Sequence, residues 1–305
     1  MKIAKASTVV VAFLLTIVAV GPLRRAAAAS NASSISTHPT IFVAGYDHVT
    51  AYPSDDIAVL NGDNVITEYP AGSVGNVTPS AAIAIDSKGN TYPAGIAADA
   101  TGKVYVANQG AVNCNRQSCY HTGLDNVAAY RAGSDGNAKP SAVIRGLDTG
   151  LASPSAIAVD HRGDIYVANL GPMKCRPYCS CVPSGPGSIT VYAPGSNGDV
   201  RPITTISGAQ TKLGLPYGIA LDSNRNIYVL NATGFGEVCI NFGSGPTPAT
   251  NFLGNVAGAG TYGIRGPILV FAAGSNGDAA PIGAIGGPLT GLYGSTGIAV
   301  GPGGP

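Results

Sequence analysis

Apolar residues in this chain come in short runs of four to six, rich in Val, Ile, Tyr and Thr and separated by clusters of Gly, Asn, Asp and Pro. GIALD (Gly218–Asp222), NIYVLN (Asn226–Asn231), SITVY (Ser188–Tyr192) and PITTI (Pro202–Ile206) are examples, and together they predict one unit of four strands. Beyond the N-terminal segment no stretch sustains a helical period, so the expected class is all-β. The runs are apolar on both sides instead of alternating, which predicts small sheets covered on both faces.

The runs recur. Gly72–Asp99 (GSVGNVTPSAAIAIDSKGNTYPAGIAAD), Gly133–Asp160 (GSDGNAKPSAVIRGLDTGLASPSAIAVD) and Gly195–Asp222 (GSNGDVRPITTISGAQTKLGLPYGIALD) align without a gap, and a fourth copy opens at Gly274 with GSNGDAAPIGAIGG. The first three starts are 61 and 62 residues apart and the last 79, the excess being an insertion after Asn231. A repeat of this length must bury its faces against its neighbours. Four strands per unit, repeated around an axis, predict a β-propeller of four-stranded blades. Four units are visible, and HVTAYP with DIAVLNG between His48 and Gly62 supply a degenerate fifth. The last copy stops at GIAV (Gly297–Val300), and the strand that should follow is found at the other end of the chain as TIFVAG (Thr40–Gly45). The ring is therefore expected to be closed by the N-terminal strand, which would protect its open edges; a C-terminally truncated piece of a longer propeller is the competing explanation.

PAGIAADATGKVYVAN (Pro93–Asn108), PSAIAVDHRGDIYVAN (Pro154–Asn169) and PYGIALDSNRNIYVLN (Pro216–Asn231) resemble the NHL repeat, P-x-G-I-A-V-D-x-x-G-x-I-Y-V-A-D. The resemblance spans most of the chain after residue 30. It implies a propeller of the six-bladed NHL type, within the TolB-like and SMP-30-like group, although this chain shows four to five units, each longer than that family's blades.

With strands a to d running outward from the axis, the long, divergent connections are all of the b-to-c kind: Gln109–Leu124, Leu170–Pro186 and Ala232–Arg265. They should gather over one mouth of the channel, where irregular loops on a rigid frame form binding sites. All six cysteines fall there: Cys114 and Cys119, then Cys175, Cys179 and Cys181, then Cys239. An even number in an exported chain points to disulfides, with Cys114–Cys119 the shortest closure and Cys239 reaching the second loop, the full pairing staying open. A thiolate metal site with His121 beside Cys119 is the other reading, but the spacings match no common zinc pattern. Asn108, Asn169 and Asn231 end their b strands toward the same mouth and are candidate ligand-binding residues. The resemblance to lactonase-like propellers implies that such asparagines can hold a divalent metal; an Asn recurring once per blade is also an ordinary turn residue that bonds its own backbone. Asp99, Asp160 and Asp222 belong to the a-to-b turns at the opposite end, and the GSNGD segments read as hairpin turns lacking the clustered carboxylates calcium requires.

The N-terminus sharpens the compartment. Lys2 and Lys5, the apolar run Val9–Val20 and the small residues Ala26–Ser30 read as a secretory signal covering 1–29, followed by a single domain over 30–305 that is secreted, periplasmic or at the cell surface. Arg24 and Arg25 keep a membrane anchor as the alternative for that segment, although the run falls short of the ~20 residues a span requires. The leader holds four of the 17 Lys and Arg, so the remainder faces 16 Asp and Glu with a net charge of about −3, which excludes a nucleic-acid or anionic-membrane partner. Despite 43 Gly and 22 Pro, 45% of residues are apolar and 11% charged, which excludes disorder. No nucleophile elbow, phosphate loop, dinucleotide fingerprint or histidine metal pair occurs. The expectation is a non-catalytic binding or scaffold propeller taking a protein, glycan or small ligand, without a cofactor. The alternative is a metal-dependent lactonase-like hydrolase or a lyase.

Overall fold

In the computed structural model the described residues are 41–44, 48–51, 57–61, 65–69, 76, 78, 80–85, 91–110, 112–114, 119–121, 123–174, 182–232, 266–290, 292 and 297–300. All belong to the unit Ser33–Pro305; residues 1–29, expected to be a secretory signal, lie outside the described residues. Among the described residues the one helix is a 3-10 turn, Ala209–Thr211, and no helix is long and apolar enough to cross a membrane.

Four antiparallel sheets of four strands carry the structure, each a meander from the inner strand outward. The first holds His48–Ala51, Ile57–Asn61, Val65–Tyr69 and Ala81–Ala84, and the second Thr91–Ala98, Val104–Gly110, Asn126–Tyr130 and Ala142–Ile144. The third holds Pro154–Val159, Ile165–Asn169, Ser188–Tyr192 and Thr204–Ile206, and the fourth Leu215–Leu221, Ile227–Ala232, Ile268–Phe271 and Gly283–Ile285. The inner strands pack in series, 48–51 on 91–98, 91–98 on 154–159, 154–159 on 215–221, and 215–221 on 297–300. The chain folds as a β-propeller of four-stranded blades.

Three expectations are corrected in detail. The four runs taken as one unit belong to two blades, because SITVY and PITTI pair outward from Ile165–Asn169 whereas Leu215–Leu221 and Ile227–Ala232 open the next sheet. HVTAYP and DIAVLNG are the inner strands of the first full blade, with no separate blade of their own. The N-terminal strand Ile41–Ala44 does pair with Gly297–Val300, Ile41 opposite Val300 and Ala44 opposite Gly297, in the register of the other inner hairpins. That fifth unit has two strands, and among the described residues no comparable packing joins 297–300 to 48–51, so the sheets form an open series and the expected closed ring is not made.

Apolar clusters fill the blade interfaces. Ile66 and Ile83 of the first blade meet Ile96, Val104, Val106 and Tyr130 of the second. Alternation along IYVAN explains the two-sided pattern: Ile165 and Val167 face the second blade, while Tyr166 and Ala168 face the fourth. The P-x-G signature has its own cause. The inner strands of the second, third and fourth blades shift register after their prolines, at Pro93/Gly95, Pro154/Ala156 and Pro216/Gly218. There a small residue lets adjacent inner strands meet: a Cβ on Gly95 would lie 2.8 Å from Ala156 Cα. Buried Ser155 donates its hydroxyl to Pro216 O of the next blade at the same point.

The GSxG segments do more than turn the chain. Each lies between strands c and d and docks on the outer strand of the preceding blade: Gly136 on Ile83, Gly198 on Ile144, Gly277 on Ile206. Gly198 N–H donates to Val143 O (2.8 Å) and Arg145 N–H to Gly198 O (3.0 Å); Gly277 N–H donates to Thr205 O (2.8 Å) and Ser207 N–H to Gly277 O (3.0 Å). The preceding side chain joins, Asn197 Oδ1 accepting from Val143 N–H (2.9 Å) and Asn276 Oδ1 from Thr205 N–H (3.2 Å). The following carboxylate completes the latch, Asp199 accepting from Asp148 N–H (2.8 Å) and Asp278 from Gln210 N–H (2.7 Å). Both carboxylates fill a cradle over a glycine, Gly146 (φ +149) and Gly208 (φ +134), where a Cβ would overlap the Asp side chain. Gly208→Ala is expected to lower stability by about 1–2 kcal/mol by combining a left-handed backbone cost with an ejected Asp278. Urea unfolding measures it, and a Gly208→Ala chain as stable as the parent would show that this latch contributes nothing.

Candidate functional site

Strand b runs from the end bearing the a-to-b turns to the end bearing the long connections, so the blades separate two working faces. On the long-connection face each b strand carries its asparagine at or within two residues of its end, and all three are buried. Asn231 Oδ1 accepts from Gly214 N–H (2.9 Å) and its Nδ2 donates to Lys212 O (3.2 Å). Asn169 Oδ1 accepts from Ala152 N–H (3.2 Å), and its Nδ2 donates to Thr190 Oγ1 (3.1 Å). Both carboxamides tie the chain entering the blade to the end of strand b, which is the turn role a per-blade Asn has on ordinary chemistry. Asn108 differs. Its Nδ2 donates to Asn126 Oδ1 (2.9 Å), but its Oδ1 and the neighbouring Gln109 Nε2 are buried without a partner among the described residues.

Above those ends the connections fold into small hairpins. Val112–Cys114 pairs with Cys119–His121, with Cys114 directly opposite Cys119, and Met173–Lys174 pairs with Val182–Pro183. Cys175, Cys179, Cys181 and Cys239 lie outside the described residues. Leu170, Leu215, Tyr217 and Ala232 form an apolar floor against which Met173 packs.

Asp125 was not singled out by sequence reasoning, yet it sutures this face. Its Oδ1 accepts from Gly110 N–H (2.8 Å) and closes the base of the first hairpin, while Oδ2 accepts from Ser153 N–H (2.7 Å) of the third blade. The signal was an acidic residue immediately before a c strand, visible only once the blade boundary is placed.

The opposite face is built from Asp and Tyr. Asp99, Asp160 and Asp222 sit in the a-to-b turns, as expected, each accepting from turn N–H groups: Asp99 from Thr101 and Lys103, Asp160 from Arg162 and Asp164, Asp222 from Asn224 and Asn226. A tyrosine six residues on donates its hydroxyl to each carboxylate, Tyr105 to Asp99 at 3.0 Å. Burial would raise the Asp99 pKa, but the bonds from Thr101, Lys103 and Tyr105 outweigh it and hold the carboxyl below its ordinary value. Burial first, and then the Asp99 charge, push the Tyr105 phenol up. Between the third and fourth blades Arg225 enters this row, its Nε on Asp160 and its Nη2 on Asp164 Oδ2 (2.7 Å) and the Tyr166 hydroxyl (2.9 Å). These carboxylates are saturated by turn amides and Arg225, which leaves their lone pairs little capacity for a metal. Among the described residues no three His, Cys, Asp or Glu gather as a metal site.

No protein-family model matches the chain, and no curated protein does. Among solved structures it is similar to a protein of unknown function from Bacteroides caccae, at 10% identity over 83% of this chain and 85% of that one, with a TM-score of 0.36. It is also similar to the β-propeller domain of Myceliophteria thermophila Cps50 (Swd1), at 11% identity over 82% and 72% with a TM-score of 0.38. The fold assignment rests on the sheets themselves.

Proposed function

We propose that this protein is an exported, NHL-like binding or scaffold propeller, non-catalytic, that presents disulfide-braced b-to-c loops to a protein, glycan or small ligand. One observation supports this most: among the described residues the c-to-d turns of three blades hydrogen-bond to the blade before them, while the first two long connections form hairpins of their own. In the first hairpin Cys114 stands across from Cys119, a placement suited to a bridge that would stiffen a loop with little core beneath it. A stiff loop binds with less ordering cost than a mobile one.

The test replaces residues 112–121 by a two-residue Gly-Ser turn. The variant is expected to unfold at the same urea concentration as the parent and to lose the parent's signals on glycan and secreted-protein arrays. Unchanged array binding would overturn the loop assignment. Ester or lactone turnover by the purified protein with added divalent metal would overturn the non-catalytic reading. Peptide mapping of the exported chain under non-reducing conditions is expected to recover Cys114 linked to Cys119 and a new N-terminus near Ser30.

A further inference from the structure

Two of the latches carry a peptide pair prone to spontaneous covalent change, Asn197-Gly198 in the third blade and Asn276-Gly277 in the fourth. The fold imposes both residues of the pair. The glycines sit at φ +80 and +63, a left-handed backbone that other residues adopt only with strain. The asparagines supply the Oδ1 that accepts from Val143 N–H (2.9 Å) and Thr205 N–H (3.2 Å) on the outer strand of the blade before. The chemistry of such a pair needs water alone. The Gly nitrogen gives its proton to hydroxide and bonds to the Asn Cγ, while the side-chain nitrogen takes a proton from water and leaves as ammonia, closing a succinimide ring. Water then opens the ring at either carbonyl. One product is aspartate; the other is isoaspartate, whose main chain runs through Cγ. Nothing is oxidised or reduced.

In the latched state one residue blocks that attack at both ends. Gly198 N–H donates to Val143 O (2.8 Å) while Val143 N–H donates to Asn197 Oδ1, and Thr205 holds Gly277 and Asn276 in the same way. The attacking nitrogen keeps its proton on a carbonyl of the neighbouring blade, and the carboxamide is aimed at the same strand, so nitrogen and Cγ meet only after the turn lifts off. Burial plays no part, because Asn197, Gly198, Asn276 and Gly277 are all exposed. The second-blade latch shows what each product does. It carries Asp135 at the Asn position, and Asp135 Oδ1 accepts from Ala82 N–H (2.9 Å) with Gly136 N–H on Ala82 O (2.8 Å). An aspartate product therefore latches as its parent did. Isoaspartate instead inserts a methylene into the main chain ahead of Gly198 or Gly277, which shifts that glycine and the following Asp off their partners on the blade before.

We infer that Asn197 and Asn276 are sites of spontaneous deamidation gated by the latches: each reacts from the open turn, and the isoaspartate it forms holds that turn open. The modification is a lasting record of blade opening, made independently at two places. The third-blade latch rests in the cradle over Gly146 and the fourth-blade latch in the cradle over Gly208. Local opening of a native structure is an equilibrium, so the rate of deamidation scales with the open fraction of its own latch. Loosening one receiver speeds one asparagine and leaves the other as it was. Gly146 and Gly208 are far in the chain from the asparagines they affect, so substituting them leaves the intrinsic reactivity of each Asn-Gly pair unchanged.

The test ages the purified full chain in warm, mildly alkaline buffer and follows Asn197 and Asn276 separately by peptide mapping. Both are expected to deamidate at least about tenfold more slowly than in the same chain held unfolded in guanidinium chloride. Gly146→Ala is expected to speed Asn197 by about five- to thirtyfold and leave Asn276 at the parental rate, and Gly208→Ala to do the reverse. Hydrogen exchange over Val143–Arg145 is expected to quicken in aged molecules carrying isoaspartate at 197 and to stay parental in Asn197→Asp. Folded-state rates equal to those in guanidinium chloride, both asparagines accelerating together in either variant, or neither variant moving its own asparagine would overturn the gating. Parental exchange in the isoaspartyl molecules would overturn the held-open turn. The folded-to-unfolded ratio and the exchange of aged molecules are read on the parent chain, so they decide the inference even if a glycine variant does not fold.

Discussion

Phe271→Ala is expected to lower the unfolding free energy by about 3–5 kcal/mol, the range for an aromatic side chain deleted from a closed core. Phe271 ends strand c of the fourth blade, is 0% exposed, and packs against Ile206 and Val191 of the third blade and Leu213 and Ile227 of its own. The same strand position holds Tyr130 and Tyr192 in the two blades before it, also fully buried. Those tyrosines reach back one blade, Tyr192 donating to Thr149 O at 2.7 Å, and burial pushes the Tyr192 phenol up to about 12 despite the bond with Thr190. The aromatic at this position is thus the plug of the blade interface. Because strands on both sides are tied into sheets and latched outside, the interface has little freedom to collapse into the vacated volume. Urea denaturation measures the loss, with Ile203→Ala, at an exposed site, as a control expected to stay within about 0.5 kcal/mol of the parent. A loss below about 1 kcal/mol for Phe271→Ala would mean the blades slide together and that the packing is not what fixes their spacing.

Arg225→Met is expected to cost about 2–3 kcal/mol, less than a wholly buried pair would, because the guanidinium is partly solvated. The Asp160 side chain is 2% exposed and Arg225 20%. Removing the cation leaves Asp160 with the amides of Arg162 (2.9 Å) and Asp164 (3.0 Å), and leaves Asp164 and the Tyr166 hydroxyl without their shared donor. Arg225 also sits at φ +66, a left-handed backbone that Gly adopts without strain. Arg225→Gly therefore relaxes the turn while losing the same ion pairs, and is expected to be less destabilised than Arg225→Met. The difference between the two isolates the backbone part. Combining Arg225→Met with Asp160→Asn should recover part of the loss, since no uncompensated charge is then buried. A Met variant within about 0.5 kcal/mol of the parent would show that the network adds nothing to cohesion of these blades.

Much of the architecture was legible because a propeller blade cannot stand alone: each strand must be apolar on both sides, and that constraint stamps IYVAN and its relatives at Asn108, Asn169 and Asn231 with one pattern. The junction of Gly297–Val300 with Ile41–Ala44 was legible for the same reason, since a missing strand at one end and a spare one at the other are both visible as text. Site detail was less so. The asparagines were legible as repeated but not as buried, and Asp125 carried no repeat to mark it. The latches were legible as Gly-rich turns, but a turn's local sequence says how the chain reverses and nothing about which neighbour its outer edge meets.

The amino-acid order alone determined the class, the strands, the repeat and the turn role of Asp99, Asp160 and Asp222, because these follow from local propensity and from periodicity. Tertiary structure alone decided which strands share a blade, that among the described residues the series is open, that Asp199 and Asp278 clasp the preceding blade, and that Arg225 bridges two of them. Such contacts join residues 50 or more apart in the chain, and pairing over that distance depends on how whole sheets stack, which no short window of residues encodes.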